Sequence, residues 1–326
     1  MSDSHSPRYR AVVSDLRQVF PQPVSDRVHD AYLVFSFLRA LDQLDAMKSV
    51  SPILGEPVQL DYEAAKSRRV ADNPQSLEDV TSELVAHLAG MFIWGHPRSQ
   101  INVVPPPTIA SVIGGLLPSL YNPNLVSEES AKRVAVAEVE VSAMVAELVG
   151  YDSATSAGLF TFGGSGTLLY GAKLGLQKCC PNEGRQGRTE RAVLFCSQQA
   201  HYACLSVANW LGIGQDNVVQ IPCGDDNQMH IDELETAIRR EVAAGARIAA
   251  IVATMGTTDH FGLDDLHAVV ELRDRLVDEL SLDYVPHVHA DAVIDHRQLE
   301  QATLSALDEA IAEAHRATTR GVKSIG

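Results

Sequence analysis

The run IAAIVATMGTT, residues 248–258, opens with six apolar residues, then Thr254, and closes in a turn rich in hydroxyls. A strand with one face in water alternates apolar and polar side chains, whereas a strand covered on both faces is apolar throughout. The run therefore reads as a strand of a parallel sheet buried between helices, with the hydroxyl turn at its carboxyl end. Further strand candidates of the same kind are Ala192–Cys196, Val218–Ile221 and Val285–Ala292. Helical patterns lie between them, at Tyr202–Leu211, Ile231–Ala244 and Leu263–Leu280. Strand and helix alternate, which is the mark of an α/β fold with helices on both faces of the sheet.

Upstream, GLFTFGGSGT at 158–167 predicts a short strand turning through glycines into a helix from Thr167 to Cys180. Before that point the chain reads differently. Residues 1–24 form a loose arm. Ser25 is placed to cap a helix running to Lys48, with Val28, Leu33, Phe37, Leu41 and Leu44 as an apolar stripe. Ser76 and Asp79 resemble a capping box that starts a second helix, through Leu84, Leu88 and Met91. Across 95–124, prolines at 97, 105–107, 118 and 123 argue against a long helix. That segment is irregular yet apolar, so it is expected to pack against something. A helical pattern resumes over Glu128–Leu148. The chain thus divides into an N-terminal helical arm at 1–94 and a large domain at 95–326.

The chain has 326 residues and a net charge of −16, with 45% hydrophobic residues. That is enough for a sizeable core. A diffuse negative field argues against unaided binding to nucleic acid or to an anionic membrane. No run approaches the roughly 20 apolar residues of a membrane span. The polar start MSDSHSPRYR lacks the apolar core of a signal peptide. Five cysteines without framework spacing suggest reduced thiols and a cytoplasmic location. The adjacent pair Cys179–Cys180 reads as helix packing.

In open α/β sheets, ligands bind beyond the carboxyl ends of the strands. Four groups of residues collect there: Gly163-Gly164-Ser165-Gly166-Thr167, Ser197-Gln198-Gln199-Ala200-His201, Thr254-Met255-Gly256-Thr257-Thr258 and His289-Ala290-Asp291. Each has a bland reading: a tight turn, a helix cap, a polar loop, a solvated carboxylate. The glycine turn opens a helix, so its free N–H groups with Ser165 and Thr167 could seat a phosphate. His201 could stack on a flat ring. Asp291 ends an apolar run, and burying a lone carboxylate costs several kcal/mol unless a partner holds it. One ligand satisfies all four: a phosphate on a flat ring whose protonated nitrogen faces a carboxylate. Pyridoxal phosphate has that chemistry.

The order GGSGT, QQAHYA, VATMGTT, HVHADA is similar to that of the pyridoxal-phosphate-dependent group II amino acid decarboxylases, which include glutamate, aromatic amino acid and diaminobutyrate decarboxylases. GHPR and YNPNLVSEES resemble the family's substrate-side segment, so the likeness spans about 90–294. The resemblance implies a fold-type-I transferase-like large domain, a homodimer, and decarboxylation of an L-amino acid with pyridoxal 5'-phosphate. It implies that Gly164 and Ser165 bind the phosphate, that His201 stacks on the ring and that Thr258 lies near the cofactor's carboxylate partner. It further implies that Asp291 pairs with the ring nitrogen and that Ala292 lies beneath the ring. His96, Pro97 and Asn122 would border the substrate pocket. Many relatives have an acidic residue where this chain has Gly166.

Relatives also carry, downstream of the aspartate, a lysine that bonds covalently to the cofactor, usually in a His-Lys pair. Here the chain reads VKSIG and stops. Lys323 stands at a similar distance, but its context matches the residues before that pair. The expectation is a chain that ends short of the covalent lysine and of the C-terminal small domain. Such a chain is completed by a second one or is inactive alone. Two other readings remain: a metal-dependent hydrolase built on His287, His289 and Asp291, which share a strand face, and a non-catalytic fragment that binds a partner subunit.

Overall fold

Every residue of the strand Ala192–Ser197 is buried, and its side chains feed two different cores. Val193 and Phe195 join one cluster, and Leu194 and Cys196 join another on the opposite face. This alternation in a computed structural model is what a strand between two helical layers requires. The structure describes residues 7–18, 20–70, 75–99, 104 and 106–293. Lys323 and the segment from 294 onward lie outside the described residues.

Two units, 1–122 and 123–326, are each internally packed. The first holds helices α1 (Pro7–Gln18), α2 (Arg27–Ala46), α3 (Tyr62–Ser67), α4 (Leu77–Ala86) and α5 (Ile109–Tyr121). The cap of α2 is Asp26, not Ser25, because the Asp26 carboxylate accepts the N–H groups of Val28 and His29. Ser76 caps α4 as expected: its hydroxyl accepts the Asp79 N–H at 3.1 Å. α2 lies against α4 through a hydrogen bond from Gln43 to Ser82 and an ion pair of Arg39 with Glu78. The α2 stripe is not a core, since none of its residues is buried and Val28 is 75% exposed. α5 is a helix in the segment where prolines argued against a long one. Pro118 falls in its last turn, and four residues back stands Gly114, which lets the backbone yield to the ring. Asn122 ends α5 in the left-handed conformation, at φ 44°.

The second unit begins with α6 (Glu128–Ala131) and α7 (Arg133–Leu148), parted at Lys132, where φ is 48°. The expected short strand before the glycine turn does not form; among the described residues no strand precedes α8 in this unit. Next come α8 (Gly164–Cys179) and α9 (Glu183–Gln186). Strands β1 (Ala192–Ser197), β2 (Val218–Ile221), β3 (Arg247–Thr254) and β4 (His287–Asp291) alternate with α10 (Ala203–Trp210), α11 (Ile231–Ala243) and α12 (Leu266–Glu279). The sheet is wholly parallel, in the order β2-β1-β3-β4. α8 and α10 cover one face, with Leu168, Ala172, Cys204 and Val207 against Leu194, Cys196 and Val252. α11 and α12 cover the other, with Leu234, Ile238, Val269, Leu272 and Leu276 against Phe195, Ile221 and Ile251. Cys179 and Cys180 are buried at the end of α8 and pack there, as the sequence indicated. Among the described residues, no helix is long and apolar enough to cross a membrane.

Two glycines decide how close α8 comes to the sheet. A Cβ on Gly175 would lie 1.8 Å from the Ala249 carbonyl oxygen, and one on Gly171 would lie 2.4 Å from Nδ1 of His289. The helix backbone therefore rests directly on β3 and β4. His287 is half-buried beside Gly175, and burial, aided by Lys178, pushes its pKa down to about 4.

Gly175→Ala should force α8 off the sheet and cost about 1–3 kcal/mol, the range for overpacking a tight contact. Gly184→Ala meets nothing within 4 Å and is the control; urea unfolding midpoints compare the two. His287 also carries a pH dependence. The unfolded imidazole binds a proton below about 6.5 and the folded one does not until about 4, so stability falls as pH drops through that window. Replacing His287 by Gln should flatten the loss between pH 6.5 and 4, as read by unfolding at a series of pH values.

Candidate functional site

The carboxyl ends of the strands finish level with one another. Ser197 pairs in register with Ile221, and Thr254 with Asp291. α8 runs antiparallel to the strands. Gly175 lies at the start of β4 by His287, Gly171 lies over His289, and Gly164 meets Val293, two residues beyond Asp291. The first turn of α8 is thereby set at the same end of the sheet as Asp291. Strand alternation also puts Asp291 on the face of His287 and His289, which is the α8 face. The glycine turn and the carboxylate, 127 residues apart in the chain, share one corner of the fold.

The turn is shaped for that position. Gly163 has φ 127° and ψ 179°, a backbone region that side-chain-bearing residues avoid, and a Cβ there would meet nothing within 4 Å. Its carbonyl accepts the N–H groups of Gly166 and Thr167. No side chain caps α8, so its leading N–H groups and half-buried Ser165 are open to an acceptor. α8 starts three residues earlier than the sequence suggested, because the glycines themselves form its first turn.

His201 follows β1 in a segment whose Ala200 and Cys204 pack with Leu168 of α8. Its Nδ1 accepts the Ala203 N–H at 3.1 Å, so the remaining ring proton sits on Nε2. Its ring centroid is 4.1 Å from that of Tyr202. In the loop after β3, the two threonines differ. The Thr257 hydroxyl is buried and accepts the Gly262 N–H, a structural bond. Thr258 is half-buried beside it. Asp291 is half-buried, less sunken than the sequence suggested, because β4 is the edge of the four described strands. Ala292 is exposed. His96 is half-buried, and Pro97 and Asn122 are exposed; all three belong to the first unit.

Two residues of this corner were given no role of their own in the sequence reading. Asp264 is buried, and burial pushes its carboxyl above the usual range. It accepts the N–H of Thr254 at 2.7 Å and that of Met229 at 2.8 Å, which ties the loops after β2 and β3 together. The second is Thr254, 3% exposed, whose Oγ1 has no hydrogen-bond partner among the described residues. The available signal was an aspartate ten positions past a strand that itself ends in threonine.

The metal reading meets a different geometry. The His287 and His289 rings are 6.2 Å apart, and burial holds the pKa of both down, Asp291 opposing this at His289. Among the described residues, no group of three or more His, Cys, Asp and Glu side chains converges as a ligand set. The donor set does fit pyridoxal phosphate: an uncapped helix start for an anion, a carboxylate for a ring cation, an imidazole nearby, and a buried hydroxyl with nothing to bond.

Known proteins agree. L-2,4-diaminobutyrate decarboxylase of Acinetobacter baumannii is 28% identical over 195 residues, which cover 55% of this chain and 38% of that protein. The crystal structure of mouse CSAD superposes with a TM-score of 0.70 at 22% identity, over 82% of this chain and 55% of that one. The glutamate decarboxylase domain of a Vibrio parahaemolyticus diaminobutyrate-pyruvate transaminase and L-2,4-diaminobutyrate decarboxylase also scores 0.70, at 19% identity, over 86% and 61%. These structures share the fold, and this chain spans about half of their length. The pyridoxal-dependent decarboxylase conserved domain matches residues 60–294, well over half of the sequence. The chain belongs to the pyridoxal-dependent decarboxylase family.

Proposed function

We propose that this chain carries the cofactor-binding part of a decarboxylase that removes the carboxyl group of an L-amino acid, working with pyridoxal phosphate as a homodimer in the cytoplasm. The observation that carries this reading is the shared corner of Asp291 and the open N-terminus of α8. The chemistry supplied by bound pyridoxal phosphate is an electron sink for the pair left when the carbon–carboxyl bond breaks.

The residues of the chain do the rest. The leading N–H groups of α8 and the Ser165 hydroxyl bind the phosphate, and the helix dipole favours the negative charge there. Gly163 keeps a Cβ atom out of its way. Asp291 keeps a proton on the ring nitrogen, and that proton is what makes the ring electron-poor. His201, its Nδ1 engaged by the Ala203 amide, presents a fixed imidazole face for stacking. Thr258 lies near the carboxylate partner of the ring, and Ala292 lies beneath the ring. His96, Pro97 and Asn122 are assigned to the substrate side on the resemblance alone. The apolar faces of α2 and α5 support the homodimer: Val28, Phe35, Leu38, Ile109, Val112 and Leu117 are all exposed, and a second copy would cover them. Free thiols at all five cysteines fit a reducing compartment.

Wild-type protein mixed with pyridoxal phosphate and passed through a desalting column should retain a visible chromophore. Asp291→Ala should bind about tenfold to hundredfold more weakly, the scale of losing a hydrogen bond between charged groups. Equal retention by the variant would end the proposed role of Asp291. Sedimentation velocity should give a dimer, and Leu38→Glu with Leu117→Glu should shift it towards monomer.

A further inference from the structure

We propose that Thr254 is a positioning residue for Asp291, its buried hydroxyl donating a hydrogen bond that orients the carboxylate and favours its charged form. The inference rests on the reading of Asp291 as the partner of the ring nitrogen.

The backbone of Thr254 is already committed. Its N–H is taken by Oδ2 of Asp264, and its carbonyl accepts the Asp264 N–H at 3.0 Å. Only the hydroxyl is left, and among the described residues it has no partner. A hydroxyl buried without one costs about 1–3 kcal/mol, so a partner within reach is expected. The ladder names that partner. Thr254 and Asp291 are register mates, as are Val252 and His289. Val252 packs with Leu168 and Ala172 of α8, and His289 lies against Gly171. Two residues on, Thr254 and Asp291 therefore stand side by side on the same α8 face, about 4.8 Å apart in the ladder direction. A turn about one side-chain bond carries the hydroxyl to the carboxylate.

A carboxylate that gains a donor holds its proton less tightly. A ring-nitrogen partner must stay charged at neutral pH, and a fixed donor on one oxygen leaves the other aimed outward. Asp264 holds the Thr254 and Met229 N–H groups, one on each oxygen, and the Thr254 hydroxyl makes no bond to it. Among the described residues, the ionisable groups placed to couple to Asp291 are His289 on the same face and Asp264 through the Thr254 amide. The first two turns of α8 contribute only Tyr170.

The test is the titration of Asp291 in the protein without cofactor, followed by carboxyl carbon NMR and assigned by its loss in Asp291→Asn. Thr254→Val keeps the shape and removes the donor. It should raise the Asp291 midpoint by about 0.5–1 pH unit, and Thr254→Ser should restore it. Should the valine variant not fold, Thr254→Ala removes the donor without adding a methyl and takes its place. An Asp291 midpoint unmoved by loss of the hydroxyl overturns the proposal. This outcome is separate from the cofactor reading, which fails instead if Asp291→Ala binds pyridoxal phosphate as tightly as wild type does.

Discussion

The close approach of one helix to two strands organises this molecule. A Cβ at Gly175 would fall within bonding distance of the Ala249 carbonyl oxygen, so α8 sits lower on the sheet than any side-chain-bearing residue at that position would permit. Gly171 repeats the contact one turn earlier, against His289. With those two points fixed, the helix axis is fixed along β4. Its uncapped N-terminus then has one place to be, at the carboxyl end of β4 beside Asp291. Helix dipole, glycine turn and carboxylate are assembled by packing, without a direct bond between them.

A second constraint holds the loops. Strand ends and loops leave backbone groups unsatisfied, and one carboxylate meets the N–H at the end of β3 and another in the loop after β2. Asp264 accepts an N–H from each side, and its own N–H closes back onto Thr254. Burial opposes ionisation of that carboxyl while the two amides favour it, and burial prevails. The Thr257 hydroxyl adds a bond across the same loop. Asp264 and Thr257 thus hold the loops beneath the site, and His201 bonds the backbone of its own segment.

β1 and β3 were legible because full burial erases polar alternation, and their apolar runs end in Ser197 and Thr254; β2 and β4 are only partly buried and were legible as short, mostly apolar runs. Helix starts were legible where a hydroxyl or carboxylate caps them, as Ser76 does, but neighbouring candidates such as Ser25 and Asp26 are separated only by geometry. Pro118 misled because proline is excluded from helix interiors more strictly than from a last turn with glycine behind it. The α2 stripe has helical period yet no buried residue, since periodicity tells which residues share a face and not what covers it. Thr254 and Asp264 have no motif of their own.

The sequence by itself determined the α/β class, the parallel sheet, the order of the four candidate motifs, and the chemistry they could share. These follow from local rules: which side chains tolerate burial on both faces, which residues start helices, and which groups pair with a phosphate or a ring cation. Only the tertiary structure decided that residues 163–167 and Asp291 lie at the same end of the sheet, that Thr257 is spent on its own loop, that Asp291 stands half-open at an edge, and that the Thr254 hydroxyl is buried without a partner among the described residues. Those facts depend on distances across the sheet, and such distances are set by the clash a missing Cβ avoids, which no linear spacing records.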